Sequence, residues 1–183
     1  MYRSVVFATC LIFNSIYAVA TPYRLIPEES QIEFIVKEMG IPVSGKFKQF
    51  ETAIDINATK PEKSHAEIKV NVESLTTGNE EADTIALAPE WLDKTHYPYA
   101  TFKSVSIHAL DNGNYETHGS LEIRNQTRPI VFKFNSTFQN DGKTILTGEF
   151  IIKRSEYGIG GGIWNEEGVV SEDIPVKVRM TLR

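Results

Sequence analysis

Four histidines are the residues in this sequence best suited to metal binding or to acid–base catalysis near neutral pH. They are His65, His96, His108 and His118, and no pair shows the four-residue spacing typical of a metal site on a helix. The sequence also lacks the G-x-S-x-G, H-E-x-x-H, P-loop and dinucleotide-binding motifs. We therefore predict no metal site and no catalytic residues, and we interpret the histidines as solvated residues on strands.

Two charged residues occupy positions where the local pattern calls for apolar ones. Glu38 continues the alternating apolar positions of the segment around Phe34, and Arg154 continues those of the segment around Phe150. Each stands at a strand end, where its side chain could reach the rim of a closed sheet. Two interpretations stay open: a structural ion pair or a turn back to solvent, and contact with the polar end of a bound lipid.

Charge and cysteine content exclude several classes of function. The 183 residues include 19 Lys and Arg against 24 Asp and Glu, which gives a formal net charge of -5. Without a local basic patch, this balance argues against a nucleic-acid partner. The single cysteine, Cys10, lies in a segment that we predict to be removed. The mature chain would then have no thiol for catalysis, for an iron–sulfur cluster or for a disulfide.

Residues 1–20 have the pattern of a secretory signal peptide. Arg3 precedes a largely apolar run over 5–13, and small residues end the segment at Ala18 and Ala20. We predict cleavage near Ala20 and a periplasmic or secreted mature protein of residues 21–183, without a transmembrane segment. Lipid attachment through Cys10 is the weaker alternative.

The rest of the sequence is dominated by alternation of apolar and polar residues, which is the pattern of strands with one buried face. The clearest runs lie at 32–36, 66–73, 115–124, 130–138 and 174–182, and weaker ones lie at 23–26, 46–56, 100–110 and 144–154. Segment 79–88 differs, because it is rich in Ala and Glu and precedes Pro89. It predicts one short α-helix.

These strands predict an all-β fold. About eight antiparallel strands joined by hairpins favour an up-and-down β-barrel in a single domain. The turns at 111–114 and 140–143 contain Asn-Gly and Asp-Gly, the strongest short hairpin signals. A barrel of this size either fills with side chains or holds one small apolar ligand. Large inward phenylalanines favour packing, whereas four small inward residues leave room: Ser104, Thr117, Gly119 and Gly148.

Seven short elements follow one another along the chain: G-K-F-K-Q-F at 45–50, V-E-S-L-T-T at 72–77, W-L-D at 91–93, T-F-K-S at 101–104, G-S-L-E-I at 119–123, T-R-P-I at 127–130 and R-S-E-Y-G at 154–158. In this order they resemble the YceI-like family of lipocalin-like, polyisoprenoid-binding periplasmic proteins. The resemblance implies a lipocalin-like antiparallel barrel with a helix over one side and a long hydrophobic pore. It also implies a binder of isoprenoid quinones, polyprenyl compounds or other long-chain lipids, with no catalytic residues and no required cofactor. Some members are thought to serve a membrane b-type cytochrome.

Strand phase then selects the residues that would line such a pore. From the strands we predict Phe34, Val36, Phe47, Ile68, Val70, Phe102, Leu121, Phe132, Phe134 and Phe150, with Arg154 near the polar end of the ligand. The helical segment would add Ile85, Leu87 and Trp91 and could act as a lid. Two rivals stay open: an enzyme that uses Glu38 and Arg154 on a lipid or quinone headgroup, and a packed structural or stress-response module without a ligand.

Overall fold

The computed structural model describes residues 23–57 and 59–183. The signal peptide predicted for residues 1–20 and the alternative through Cys10 lie outside the described residues, so both stay predictions.

The described residues form ten strands and one α-helix. The helix α1 spans Glu80–Ala86, and the side chain of Asn79 caps its first turn by accepting hydrogen bonds from the N–H groups of Glu81 and Ala82. The strands are β1 Gln31–Glu38, β2 Ile41–Phe47, β3 Phe50–Asp55, β4 His65–Asn71, β5 Leu75–Thr76, β6 Tyr99–Ala109, β7 Asn114–Ile123, β8 Gln126–Phe138, β9 Thr144–Lys153 and β10 Asp173–Leu182.

All ten strands pair antiparallel in one sheet that closes on itself. β1 pairs with β10, β2 pairs with β1 and β5, and β3 pairs with β4. Only Lys48 and Gln49 separate β2 from β3, and backbone bonds to Ser74 and from Asn71 continue the ladder across this bend. Counting β2 with β3 and β4 with β5 as bent strands turns ten strands into a ring of eight. The predicted all-β, up-and-down barrel is confirmed.

The wall of the barrel is tightest where glycine lets an aromatic ring lie against the backbone. A Cβ at Gly119 would stand 2.6 Å from the carbonyl oxygen of Lys103 and 2.5 Å from the ring of Phe102. Gly45 receives the ring of Phe34 in the same way. Gly119 therefore does not leave the room that its small size suggested, because Phe102 fills the space.

Two boundaries differ from the sequence-based expectation. The predicted strand at 23–26 is a single bridge between Leu25 and Leu182. Most of β2 went unpredicted because Pro42 and Gly45 are weak strand formers and mask its alternation.

The two ends of the barrel differ in packing. β6 and β10 finish at the same end, where Ile107, Met180 and Leu182 are at most 1% exposed. The opposite end, where β1 finishes, carries α1 and the long connection 154–172 between β9 and β10. One end is thus sealed by core residues, and the other is covered by helix and loop.

Candidate functional site

The barrel encloses a cavity of about 500 Å³. That volume is within the range of about 300–1,000 Å³ that ligand pockets usually have. Twelve of the fourteen residues predicted to line a pore do line it: Phe34, Val36, Phe47, Ile68, Val70, Ile85, Trp91, Phe102, Leu121, Phe132, Phe134 and Phe150. The structure brings these residues together, and their contact with a ligand stays a prediction.

Phenylalanine rings form one wall of the cavity. The ring centroids of Phe102 and Phe132 are 5.5 Å apart, and those of Phe132 and Phe150 are 4.9 Å apart. This contact matters structurally because β8 pairs with β9 only from Phe134 to Phe138. Before Phe134 on β8 there is no backbone pairing with β9, and there the rings of Phe132 and Phe150 pack against each other between the two strands.

Sequence reasoning missed part of the apolar lining. Many of the missed residues continue the same alternation along a strand. Strand β10 alone contributes four of them, from Ile174 to Met180, so strand alternation could have found them. Others lie in the covering loops, where no periodic signal exists. The missed residues include Ile54, Ile56, Ile123, Leu146, Ile152, Ile159, Trp164, Val170, Ile174, Val176, Val178 and Met180.

The helix and its flanking residues form the cover of the cavity. Asn79, Glu81 and Ile85 all belong to its lining. The indole rings of Trp91 and Trp164, which also belong to the lining, meet edge to face with centroids 5.4 Å apart. The predicted position of the helical segment as a cover over the pore agrees with this geometry.

Leu87 and Arg154 do not belong to the cavity lining, so the prediction for these two residues is not supported. Leu87 is the C-cap of α1, where the helical turn ends. Arg154 follows the last residue of β9 and begins a 3₁₀ turn. Strand alternation therefore does not determine which way the side chain of Arg154 points.

Arg154 instead holds the covering loop together. Its side chain is 4% exposed, and Nη1 donates to the carbonyls of Ile159 (3.0 Å) and Gly160 (2.9 Å) and to Oδ1 of Asn165 (3.0 Å). Nη2 donates to the carbonyl of Trp164 at 2.8 Å. These contacts support a structural role for Arg154 rather than contact with the polar end of a lipid.

A second arginine, which sequence reasoning missed, links the segment after α1 to the connection between β9 and β10 by hydrogen bonds. Arg124 stands at the β7–β8 turn and donates from Nη1 to the carbonyls of Trp91 and Gly158 and from Nη2 to that of Pro89. An arginine in a hairpin turn carries no signal of such a role. Together the two arginines fix the segments that carry Trp91 and Trp164.

Two carboxylates at this end of the barrel, those of Asp83 and Asp93, are held by hydrogen bonds. Asp93 accepts a hydrogen bond from Nδ1 of His96 at 2.9 Å, and this bond holds the pKa of Asp93 below its ordinary value despite partial burial. Burial raises the pKa of Asp83, but hydrogen bonds from Thr77 outweigh it and leave that pKa lowered. Both acids thus stabilise the helical segment in their charged forms.

Glu38 and Glu81 have a different position, because they are the charged side chains of the cavity lining among the described residues. Glu38 is exposed at the end of β1, and Glu81 is exposed on the first turn of α1. The lining of the described barrel contains no lysine or arginine.

The histidines lie outside the lining. His65 and His118 are exposed, as predicted, and His118 lies 3.0 Å from a carboxylate oxygen of Glu116. Across residues 23–57 and 59–183 no three His, Cys, Asp or Glu side chains are grouped as a metal site would require. The helices of the same ranges fall short of the length and apolarity of a membrane span.

Comparison with known sequences identifies relatives along nearly the whole described chain. A family model described as "YceI-like domain" matches residues 23–182. The UPF0312 protein of Pseudomonas savastanoi pv. phaseolicola is 30% identical over 130 residues, which cover 69% of this chain and 66% of that protein, just under two thirds of its length. Protein YceI of Shigella flexneri is 26% identical over 134 residues, covering 72% of this chain and 70% of that protein.

Comparison with solved structures identifies the same fold. BcnA of Burkholderia cenocepacia superposes with a TM-score of 0.83 at 24% identity, covering 86% of this chain and 99% of BcnA. A polyisoprenoid binding domain from Saccharophagus degradans, implicated in plant cell wall breakdown, superposes with a TM-score of 0.68 at 14% identity. That match covers 88% of this chain and 97% of the domain.

Proposed function

The chain belongs to the YceI-like family, and from this membership and its apolar cavity we propose that it binds one long-chain isoprenoid lipid inside the barrel. The observation that carries the proposal is a cavity of about 500 Å³ whose lining is almost entirely apolar. The Saccharophagus degradans domain, which has the same fold, is described as polyisoprenoid binding.

The hydrophobic effect accounts for the affinity of such a site. Removing apolar surface from water contributes roughly 25 cal/mol per Å², so burying about 300 Å² of an isoprenoid chain contributes about 7.5 kcal/mol. Ordering a flexible chain opposes binding. Because the wall has few polar groups, this contribution depends little on the identity of the tail, and a family of related chains should bind.

Binding is proposed here rather than catalysis or a purely structural role. The enzyme alternative relied on Glu38 and Arg154 acting together, and of these two only Glu38 belongs to the cavity lining. The guanidinium of Arg154 is occupied by the covering loop. A packed module would have no use for an enclosed space of this size.

The biological setting is also a proposal. We infer a periplasmic or secreted protein from the signal pattern in residues 1–20. Within that setting the protein would carry or store a polyprenyl compound or an isoprenoid quinone, or serve electron transfer beside a membrane b-type cytochrome. No cofactor is required for any of these roles.

A blocked cavity tests the proposal. Ala100 lines the cavity at the start of β6, so Ala100→Phe would fill part of the space. Ala53 is exposed on β3, so Ala53→Phe adds the same ring to the outside as a matched control. Both tryptophans of the chain line the cavity, and their fluorescence therefore reports the binding of squalene, an isoprenoid hydrocarbon without a headgroup.

We expect Ala100→Phe to weaken squalene binding by at least about tenfold, which corresponds to 1.4 kcal/mol, and Ala53→Phe to leave it unchanged. Circular dichroism and the melting temperature of each variant establish that both barrels are folded. Equal affinities for the two variants, or no saturable binding to the original protein, would contradict the proposal.

A further inference from the structure

The turn between β1 and β2 carries a methionine that the turn itself does not favour. Met39 and Gly40 alone connect the paired residues of the two strands, with left-handed φ angles of 49° and 81°. A turn of this kind favours Asn-Gly, and at the other end of the barrel Asn112 and Gly113 hold two such positions. Met39 is 77% exposed, so packing does not explain the methionine either. A strained residue that the fold does not need points to a function.

Further exposed aliphatic side chains lie near this turn. Ile41 is 67% exposed, and Ile163 is 69% exposed. Two successive backbone turns lead from Ile163 to Val169, whose carbonyl accepts a hydrogen bond from the N–H of Met39 at 2.8 Å. Ile85 of α1 is 37% exposed and also belongs to the cavity lining. Apolar side chains therefore extend from the surface at this end of the barrel into the cavity.

The segments that carry these side chains are strongly acidic. We call 38–43, 79–86 and 162–170 the rim segments; they contain five exposed glutamates and neither lysine nor arginine. These glutamates form no ion pair with any residue of 23–57 or 59–183. They are Glu38, Glu80, Glu81, Glu166 and Glu167.

The charge of the rim segments selects among the surfaces that could cover them. A bilayer with anionic lipids would bring its phosphates against the five carboxylates, and like charges placed together oppose binding. A second copy of this chain, docked rim to rim, would meet the same repulsion. Interfaces between different proteins commonly combine apolar anchors with a polar surround. A protein with a basic face around an apolar pocket satisfies both features of the rim segments.

We propose that the rim segments dock onto a second protein, whose basic face contains an apolar pocket for the side chain of Met39. A partner bound there would cover the open side of the cavity, so a ligand would pass between the two proteins without crossing water. The inference goes beyond the proposed function and does not depend on which lipid the cavity holds.

Photocrosslinking in the intact host tests the inference, with p-benzoylphenylalanine in place of Met39 or, as a matched control, of Phe138. Phe138 is 75% exposed at the sealed end of the barrel. We expect a protein adduct from position 39 and none from position 138. In binding to the purified partner, Met39→Asn should weaken affinity by about tenfold, and Phe138→Ser should leave it unchanged. The double variant Glu166→Lys/Glu167→Lys and added salt should each weaken affinity, because each reduces the attraction between unlike charges.

Two further measurements separate docking from folding and from ligand binding. Asparagine suits the turn better than methionine, so Met39→Asn should keep or raise the melting temperature. Met39 is not part of the cavity lining, so squalene affinity should stay within about twofold. Mixed vesicles of phosphatidylethanolamine and phosphatidylglycerol should not cosediment with the protein.

Three results would overturn the inference: no protein adduct specific to position 39, an affinity that Met39→Asn or the charge reversal leaves unchanged, or cosedimentation with the vesicles. Failure of the original protein to bind squalene would contradict the proposed function instead, because docking through the rim segments does not require a bound lipid.

Discussion

Replacing Arg154 with methionine removes the guanidinium that organises the loop over the cavity while keeping most of the apolar stem. The side chain is 4% exposed, and its hydrogen bonds end on the carbonyls of Ile159, Gly160 and Trp164 and on the side chain of Asn165. Methionine has no donor, so these acceptors would lose their partner in a region that water reaches poorly.

The expected loss of stability follows from the number of bonds. Each of the four bonds is 2.8–3.0 Å long. Nη1 shares its two hydrogens among three of the acceptors and Nη2 supplies one more, so three N–H groups at about 1–1.5 kcal/mol each lower the free energy of unfolding by about 3–4 kcal/mol, in line with the 3–5 kcal/mol typical of breaking a buried polar network. For a domain of this size the melting temperature should fall by about 6–16 °C.

Denaturation with guanidinium chloride measures the loss, and Arg179→Met serves as the control. Arg179 is exposed on β10, and its side chain makes no hydrogen bond or ion pair with the other described residues, so its replacement should change stability by less than about 0.5 kcal/mol. Hydrogen exchange should accelerate most in residues 154–165 of Arg154→Met. A loss below about 1 kcal/mol, or uniform acceleration over the whole barrel, would refute the role that we assign to Arg154.

Two further substitutions test the wall and the cover. Gly119→Ala places a Cβ 2.6 Å from the backbone oxygen of Lys103, which cannot move aside, so we expect the free energy of unfolding to fall by about 1–3 kcal/mol in chemical denaturation. Gly148→Ala, whose Cβ would come no closer than 3.2 Å to another atom, should lose less stability. A larger loss for Gly148→Ala than for Gly119→Ala would contradict the packing described. Asp93→Asn removes a carboxylate whose pKa is lowered by the hydrogen bond from His96. The unfolded chain takes up this proton at higher pH than the folded chain, so the original protein loses stability as pH falls below about 3.9. Urea titrations at several pH values should show a smaller loss for the variant. If stability fell equally steeply with pH in both proteins, the hydrogen bond between Asp93 and His96 would not have the effect described.

The architecture was predictable because alternation and turn chemistry agree along most of the chain. The runs that became β1, β4, β7, β8 and β10 alternate most clearly, those that became β6 and β9 alternate more weakly, and Gly113 and Gly142 adopt the positive φ angles that their hairpin turns require. The bend between β2 and β3 was not predictable. It depends on long-range pairing at Lys48 and Gln49 and has no local sequence signal.

The site was predictable only where strand phase applies. Inward residues such as Phe102 and Phe132 follow from period two, and both line the cavity. Arg154 shows where the rule ends, because the chain leaves the strand one residue earlier and turns. The roles of Arg124 and Trp164 depend on contacts between loops distant in sequence, which periodicity does not encode.

The most direct test of isoprenoid binding is native mass spectrometry of the protein purified from its own host, with organic extraction of whatever it carries. We predict one lipid per chain, with a long-chain isoprenoid recovered in the extract and absent from Ala100→Phe prepared in the same way. A chain that is always empty, even after incubation with isoprenoid quinones and polyprenols, would contradict the central proposal.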